Sequence, residues 1–363
     1  MINQIKEKIC LMCRVPEVEK MRQCIFVEDH LTWTSLIENK SLDIFYSYEY
    51  VRLNARTDET AGLVYFQGAS GELFYPFLKR RIFDTEYFDM ITPYGYGGPE
   101  VVGELTLEEL ADAKRSFRQW AMRHKIVSEL IRFNPLTENQ KRIADWTKTE
   151  FIRHTTSIDL RPTVEEIMQT FHKKNRSMIR KSLASELTVR RGSKEDLPTF
   201  IRLYYQTMDR KDASSHYYFT PEYFERLFQP TQLCEPLLLI AEWRGEAVGG
   251  YFVLLGQEYA HGHLIGCQRD EHKLFPNQRL EYEAILHSKT AGMVEQHLGG
   301  GYKERDSLFE SKCRYTGYRM FEYHQGKTIL LPHIYEQLCQ RYGNDQDVDY
   351  FPEYRYQETV LAT

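Results

Sequence analysis

The amino-acid sequence predicts a mixed α/β fold built from two related units. Short apolar segments alternate with amphipathic helical segments along the 363 residues, and this alternation is typical of α/β proteins. A chain of this length usually folds as two domains. A hairpin-like segment also occurs twice, far apart in the chain, which indicates an internal repeat.

The two hairpin-like segments share one pattern: an apolar strand, a short turn with glycine, and an aromatic strand. In the first, Leu63–Gly68 is followed by Glu72–Phe77. In the second, Leu238–Gly245 is followed by Val248–Val253. Glycine at the turns permits the backbone reversal that a hairpin needs. The repeat predicts two similar units, and a chance resemblance of two hairpins is the alternative.

The unit boundaries follow from the segments between these patterns. We expect an N-terminal half at residues 1–158 and a C-terminal half at residues 159–329. The segment Arg153–Pro162 is expected to cross between them. The apolar run Tyr315–Tyr323 is expected to close the C-terminal half, and residues 330–363 are expected to pack back on the N-terminal half.

Helix start signals are clear at several positions. Thr106 and Glu109 form a capping-box pattern, in which each side chain satisfies a backbone N–H of the other residue. Thr163 and Glu166 repeat this pattern. The remaining helix predictions run from Thr163 through Ile167, Phe171, Met178 and Ile179, from Thr220-Pro221 through Leu227, and from Glu281 to Val294, led by Pro276-Asn277.

Composition excludes some classes of function. The net charge is −5, whereas proteins that bind nucleic acid over a whole surface are strongly basic, so any RNA contact should be local. Seven scattered cysteines, with Cys10 and Cys13 as a close pair, predict reduced thiols rather than a zinc site. Residues 1–14 lack the apolar core of a secretory signal, and no run reaches a membrane span of about 18 residues. We expect a cytoplasmic protein.

Two segments are candidate ligand contacts. Pro93–Pro99 holds three glycines, and Tyr94 and Tyr96 would offer stacking faces and hydroxyls to a ligand; a rigid loop without a ligand is the alternative. Lys173, Arg176 and Arg180 follow helical spacing, and such a stripe suits phosphates. A solvated basic face is the alternative for the stripe.

A third segment combines glycines with a lysine. Gly299, Gly300 and Gly301 could expose backbone N–H groups to an anion. Lys312 follows among apolar neighbours and could place a positive charge beside a developing oxyanion, although a lone lysine is more often a surface residue. His261 and His263 alternate along a predicted strand, with His272 further on; core or cleft histidines are favoured over ligands, and no metal site is predicted.

In order and spacing, these motifs resemble the FemAB family of transferases, whose members have tandem acetyltransferase-like (GNAT-type) domains. The resemblance runs from about Phe45 to Phe321. The matching segments are Tyr94–Pro99, Ile131–Pro135, Asn175–Lys181, Tyr204–Arg210, Phe275–Asn277, Leu298–Gly301 and Asp306–Lys312. The resemblance implies two GNAT-like domains in tandem. The coiled-coil arm of many members is absent, because only about thirty residues join Arg202 to Cys234.

The resemblance also implies an activity and site residues. Lys312 matches the lysine that stabilises the acyl-transfer transition state, Arg210 lies in the segment that contacts acceptor phosphates, and Tyr217 follows it. Where the family has a lysine in the first domain, this chain has Asn54, with Arg52 nearby. Many members use aminoacyl-tRNA to build peptidoglycan cross-bridges, so these residues are expected to serve amide-bond formation without a covalent enzyme intermediate or cofactor.

Three functions remain open on sequence grounds. The first is transfer of an aminoacyl group from aminoacyl-tRNA to an amine of a cell-wall precursor or peptide-like metabolite, phosphorylated or not. The second is N-acylation of a sugar or polysaccharide precursor by acetyl-CoA or another acyl-CoA. The pyrophosphate loop expected for a CoA enzyme is missing before the Glu281 helix, which disfavours this function. The third is a binding module that has lost catalysis. The oligomeric state is not predicted.

Overall fold

A computed structural model describes residues 23–143, 145–268, 272–343 and 350–356. Cys10 and Cys13 lie outside these residues, as does the side chain of His272. The strands are β1 Ile25–Val27, β2 Thr60–Gln67, β3 Ser70–Arg81, β4 Phe88–Ile91, β5 Glu100–Glu104, β6 Ile126–Arg132, β7 Thr149–Asp159, β8 Thr188–Arg191, β9 Glu235–Trp243, β10 Glu246–Leu255, β11 Tyr259–Cys267, β12 Glu295–Gly300 and β13 Met320–Ile329. The α-helices are α1 His30–Ile37, α2 Tyr48–Leu53, α3 Leu107–Arg123, α4 Val164–Thr170, α5 Lys173–Leu183, α6 Leu197–Arg210, α7 Pro221–Leu227, α8 Pro276–Thr290, α9 Ser307–Thr316 and α10 Pro332–Tyr342.

One continuous mixed sheet carries these strands, in the order β1-β2-β3-β4-β6-β13-β7-β12-β11-β10-β9-β8, and β5 pairs with β3. Within it, each half contains the same unit. Three antiparallel strands are followed by a helix and then by a strand parallel to the third: β2-β3-β4, α3 and β6 in one half, and β9-β10-β11, α8 and β12 in the other. The mixed α/β prediction is confirmed, and the repeated hairpins are the first strands of each unit.

The two halves meet by exchanging strands. β7, which follows the N-terminal unit, pairs with β12 of the C-terminal unit. β13, which follows the C-terminal unit, pairs with β6 of the N-terminal unit and also with β7. The segment expected to cross between the halves, Arg153–Pro162, therefore lies mostly within a central strand. After β13, the Tyr354 hydroxyl bonds Asp89 Oδ2 at 3.1 Å and Ser128 Oγ at 2.8 Å, which brings the segment around Tyr354 onto the first half.

Local sequence signals place several helix starts correctly. Both capping boxes form, at Thr106 with Glu109 and at Thr163 with Glu166. One prediction is wrong: the helix expected from Thr163 through Ile179 is two helices, α4 and α5. Phe171 between them has extended backbone angles, its buried ring packs on Tyr315, and the next residue's N–H bonds a carbonyl of α9. Tertiary contacts thus override the helical pattern at this point.

The helix expected at Glu281–Val294 includes the Pro276-Asn277 segment that was expected to lead it, and it ends earlier than expected. α8 begins at Pro276, because proline suits the first helical turn. It ends at Thr290, before Gly292 with φ +84°. Among the described residues, no helix is both long and apolar enough to cross a bilayer. The largest apolar core contains side chains of both halves, such as Phe45 and Phe252, so the junction between the halves is packed.

Candidate functional site

A cleft of about 600 Å³ opens at the junction of the two halves. The parallel strands β11 and β12 are paired only from Tyr259↔Glu295 to His261↔His297. Beyond this register the strands separate, and residues of both, including His263 and Gly299, line the cleft. The N-terminal half adds the Pro93–Pro99 loop and the end of β6. The strand exchange therefore creates a concave site that neither half forms alone.

The cleft is positively charged although the chain as a whole is acidic. Its walls include Arg132, Arg153 and Lys312, and none of the described residues that line it is an aspartate or glutamate. Arg153 Nη1 donates to Gly301 O at 2.9 Å, and Arg132 Nη1 donates to Thr92 O at 3.0 Å, so backbone carbonyls hold both guanidinium groups in place. Such an arrangement focuses positive potential on an anionic ligand.

Lys312 projects from α9 into this cleft. Its Nζ donates to Gly300 O at 2.7 Å. Burial lowers the pKa of Lys312 to about 8, and the carboxyl of Glu281 opposes this shift. Glu281 is itself buried, accepts a hydrogen bond from Gln296 Nε2 at 2.8 Å, and has its pKa raised to about 7 by desolvation. The site therefore holds an ammonium group that a backbone carbonyl positions and whose pKa is close to neutral pH.

Gly299 and Gly300, near Lys312, end strand β12, and Gly301 follows it. Gly299 has φ +74°, and a Cβ there would lie 3.5 Å from Lys312 Nζ. A Cβ at Gly301 would collide with the carboxylate of Asp306. Asp306 Oδ2 accepts from the backbone N–H of Tyr302 at 2.6 Å and of Lys303 at 3.0 Å. Asp306 thus occupies the N–H groups just beyond the glycines, and Gly301 makes room for its carboxylate.

Tyrosines form much of the cleft wall. Tyr94 and Tyr96 come from the glycine-rich loop, and the loop is held by the Tyr50 hydroxyl, which donates to Tyr94 O at 3.0 Å. The ring of Tyr96 lies 5.6 Å from Tyr323 and 5.3 Å from His297, centroid to centroid. The wall therefore combines flat apolar faces with hydroxyl groups, which suits a polar ligand with rings or a peptide backbone.

The three histidines of the cleft differ in their hydrogen bonding. His261 Nε2 lies 2.9 Å from Asp43 Oδ1, and His263 Nε2 lies 3.0 Å from the Tyr223 hydroxyl. His297 Nε2 is buried without a hydrogen-bond partner. Among the residues that the structure describes, no group of three or more histidine, cysteine or acidic side chains is arranged to hold a metal ion.

Some of the site residues proposed from the sequence line the cleft, and others lie elsewhere in the structure. Those that line the cleft are Lys312, Tyr94, Tyr96, Tyr217, Gly299, Gly300 and Gly301. Arg210 does not line it, because its Nη2 donates to Thr207 Oγ1 at 2.9 Å and to Cys267 O. Arg52 is exposed in the last turn of α2. Arg132, Arg153 and His297, which sequence reasoning did not single out, join the cleft through strand pairing alone.

Arg176 and Arg180 lie on a separate surface. Together with Lys173 and Lys181 they surround a shallow depression on α5. Arg176 Nη1 donates to Gln169 O at 2.7 Å, whereas Arg180 is exposed. This surface, which we call the α5 basic stripe, lies beside the helix that carries Lys312: His172 N, just before α5, donates to Arg314 O on α9 at 2.8 Å.

Comparison with known proteins supports this description. A sequence model of the FemAB family matches residues 138–230. No curated protein sequence matches the chain significantly. The solved structure of FemX is similar, with a TM-score of 0.69 and 14% identity over 87% of this chain and 99% of FemX. The resemblance to the FemAB family and the predicted fold class of tandem acetyltransferase-like units are confirmed.

Two further solved structures share the fold at lower similarity. L-PGS from Bacillus licheniformis has a TM-score of 0.53 and 11% identity, covering 86% of this chain and 96% of its own. The C-terminal domain of a putative lysylphosphatidylglycerol synthetase from Agrobacterium fabrum has a TM-score of 0.51 and 12% identity, covering 85% and 96%. At such low identity these likenesses concern the fold alone.

Proposed function

We propose that this chain is a FemAB-like transferase that moves an aminoacyl group from aminoacyl-tRNA to an amine acceptor and so forms an amide bond. The observation that carries the proposal is the cleft between the halves, where Lys312 is held beside Gly299 and Gly300 and no described acidic side chain lines the wall. Amide formation passes through a tetrahedral oxyanion, which a positioned cation stabilises.

Lys312 is the proposed catalytic residue. The hydrogen bond to Gly300 O directs its ammonium group, and burial strengthens its effect on a nearby negative charge, since the local dielectric is low. The group needs no reorganisation when the oxyanion develops, which is how a fixed charge favours the transition state over the ground state. Arg153 and Arg132 are proposed to bind the anionic part of donor or acceptor.

The α5 basic stripe is proposed to hold the RNA of the donor. Its four cations face one depression, and arginine forms paired hydrogen bonds with phosphate oxygens. The contact between His172 and α9 connects this surface to the helix that carries Lys312. A tRNA body on the stripe would therefore lie beside the catalytic helix. Charged tRNA is cytoplasmic, so we place the reaction there.

The acceptor is proposed to be an amine of a cell-wall precursor or of a peptide-like metabolite. The tyrosine wall formed by Tyr94, Tyr96 and Tyr217 offers hydroxyls to a peptide and flat faces to a ring. Arg132 and Arg153 fit a phosphate or carboxylate on the same molecule. Both acceptor types carry such anionic groups.

The test is mass spectrometry of products formed from each candidate donor and acceptor. The purified protein is incubated with charged tRNA or acetyl-CoA, each with a nucleotide-linked cell-wall precursor or a small peptide. We expect an added aminoacyl mass on the acceptor only with charged tRNA. An added acetyl mass instead would favour the CoA-dependent function, and absence of product in every combination would favour a binding module.

A further inference from the structure

His297 is the one histidine of the cleft wall whose Nε2 lacks a partner among the described residues. It lies on β12, two residues before Gly299, and its side chain lines the cleft. Only 2% of the residue is exposed. Buried polar atoms in folded proteins normally have a hydrogen-bond partner, so this nitrogen marks a position that a bound ligand could fill.

The groups around His297 come from four elements. Its ring lies 5.8 Å from that of His261 on β11 and 5.3 Å from that of Tyr96 in the glycine-rich loop. Tyr323 of β13 contacts the same Tyr96 ring. Lys312 of α9 is near enough to disfavour a positive charge on the imidazole. No carboxylate lines this part of the cleft within the described chain, so the neighbours favour a neutral imidazole.

The other two histidines are already engaged. Asp43 occupies Nε2 of His261 at 2.9 Å, and Tyr223 occupies Nε2 of His263 at 3.0 Å. A proton acceptor must be able to reach the proton that it takes. Of the three histidines, His297 is therefore the one whose Nε2 has no partner among the described residues.

We propose that His297 accepts the proton that the attacking amine loses, while Lys312 stabilises the oxyanion. This inference rests on the proposed transferase function. The amine nitrogen attacks the ester carbonyl carbon, a C–N bond forms, and the carbonyl π electrons move to the oxygen beside Lys312. The N–H proton passes to the imidazole of His297. When the C–O bond to the tRNA ribose breaks, the leaving oxygen takes that proton, and His297 returns to its neutral form.

The electrostatics of the site set the protonation state in which His297 would enter the reaction. Burial, with His261 and Lys312 nearby, holds the pKa of His297 well below the usual histidine value. The imidazole is then neutral at pH 7 and has a free lone pair. A protonated histidine there would be next to the ammonium of Lys312, so the protonated form should be short-lived and pass its proton readily to the leaving oxygen.

The test compares His297→Gln with His124→Gln in single-turnover assays. Glutamine keeps a hydrogen-bonding group but cannot carry the proton. His124 stacks on Trp120 at 4.6 Å, outside the cleft, and serves as the matched control. We expect His297→Gln to lower the rate by about 10²–10⁴-fold with unchanged donor affinity, and added imidazole to restore part of the rate in His297→Ala. His124→Gln should stay near wild type.

Two outcomes would overturn the inference. One is a wild-type protein that forms the amide while His297→Gln reacts within tenfold of it. The other is read by NMR in the free protein, where the His297 signals are assigned by their loss in the variant. Protonation of His297 above pH 7 would leave no free lone pair at neutral pH. This second measurement needs no activity, so it remains decisive even if the wild-type protein forms no product and the proposed function fails.

Discussion

His261 Nε2 lies 2.9 Å from Asp43 Oδ1, and this hydrogen bond joins two residues 218 positions apart on opposite halves of the chain. Asp43 is buried and also accepts from Asn134 Nδ2 at 2.7 Å and from Ile44 N at 2.8 Å. One carboxylate thus connects β11 to the segment before α2 and to the chain after β6. It thereby holds His261, which lines the cleft, against the N-terminal half.

Replacing Asp43 by alanine should destabilise the protein by about 3–5 kcal/mol, because removing one partner of a buried pair leaves the others without an acceptor. The free energy of unfolding is measured by urea denaturation. Asp58→Ala, at an exposed position, is the control and should change it little. A loss below about 1 kcal/mol for Asp43→Ala would show that the pair does not hold the halves together.

Replacing Lys312 by methionine should lower single-turnover amide formation by about 10²–10³-fold, which corresponds to the loss of one oxyanion-stabilising group. Methionine keeps the apolar stem, so the fold should survive. Lys148→Met removes an exposed lysine elsewhere and should leave the rate unchanged. If Lys312→Met reacts within a few-fold of wild type, Lys312 is not the catalytic cation.

The pH dependence follows from the same lysine. Because burial lowers the pKa of Lys312 to about 8, its charge, and with it the rate, should fall as the pH rises above 8. Folding disfavours the charged form of Lys312, so this lysine lowers the free energy of unfolding below pH 8. The loss becomes smaller as the pH rises above the pKa of Lys312 in the folded protein, and it disappears above the pKa of lysine in the unfolded chain. Lys312→Met should therefore melt no lower than wild type at pH 7. A rate that keeps rising to pH 10 would contradict this assignment.

Alanine at Gly299 should impair catalysis more than stability. Its φ of +74° strains any L residue, and the new Cβ would lie 3.5 Å from Lys312 Nζ. Gly292 is the matched control, since its φ is +84° and nothing lies within 4 Å of a Cβ there. We expect each variant to lose about 1–2 kcal/mol of stability, whereas only Gly299→Ala should slow amide formation. Equal rates in the two variants would show that Gly299 is needed for its backbone angles alone.

Removing two cations from the α5 basic stripe should weaken RNA binding and reduce its salt dependence. Each phosphate contact contributes about 0.7–0.9 to the slope of log affinity against log salt. Arg176→Ala with Arg180→Ala should therefore lower the slope for charged tRNA by about 1.4–1.8. The control, Lys148→Ala with Lys174→Ala, removes the same charge outside the depression. Identical slopes for the two double variants would show that the stripe is a solvated surface that does not bind RNA.

Local patterns were enough to predict several elements. Each capping box specifies a helix start through contacts within four residues, and the glycine turns specify the hairpins 63–77 and 238–253. These interactions are short-range, so nothing distant in the chain is needed to establish them. Lys312 was found through its glycine-rich and apolar surroundings and the family resemblance, and the structure places it in the cleft.

Long-range packing decided the rest. Phe171 ended a predicted helix because its ring is buried against Tyr315, a residue far along the chain. Arg210 was expected at the acceptor, but its guanidinium group lies against the carbonyl of Cys267. Both outcomes depend on which elements become neighbours, and spacing within one segment carries no information about that.

The sequence by itself determined the mixed α/β class, the repeated unit and a lysine that follows a glycine-rich segment. Only the tertiary structure decided that β7 pairs with β12 and that β13 pairs with β6. The pairing of β7 with β12 brings Arg153 and His297 into one cleft. The physical reason is that a strand's neighbours are selected by hydrogen bonds and burial over the whole sheet. The charge of the cleft is therefore a property of the assembled sheet, where cations from distant strands converge and carboxylates are absent from the described walls.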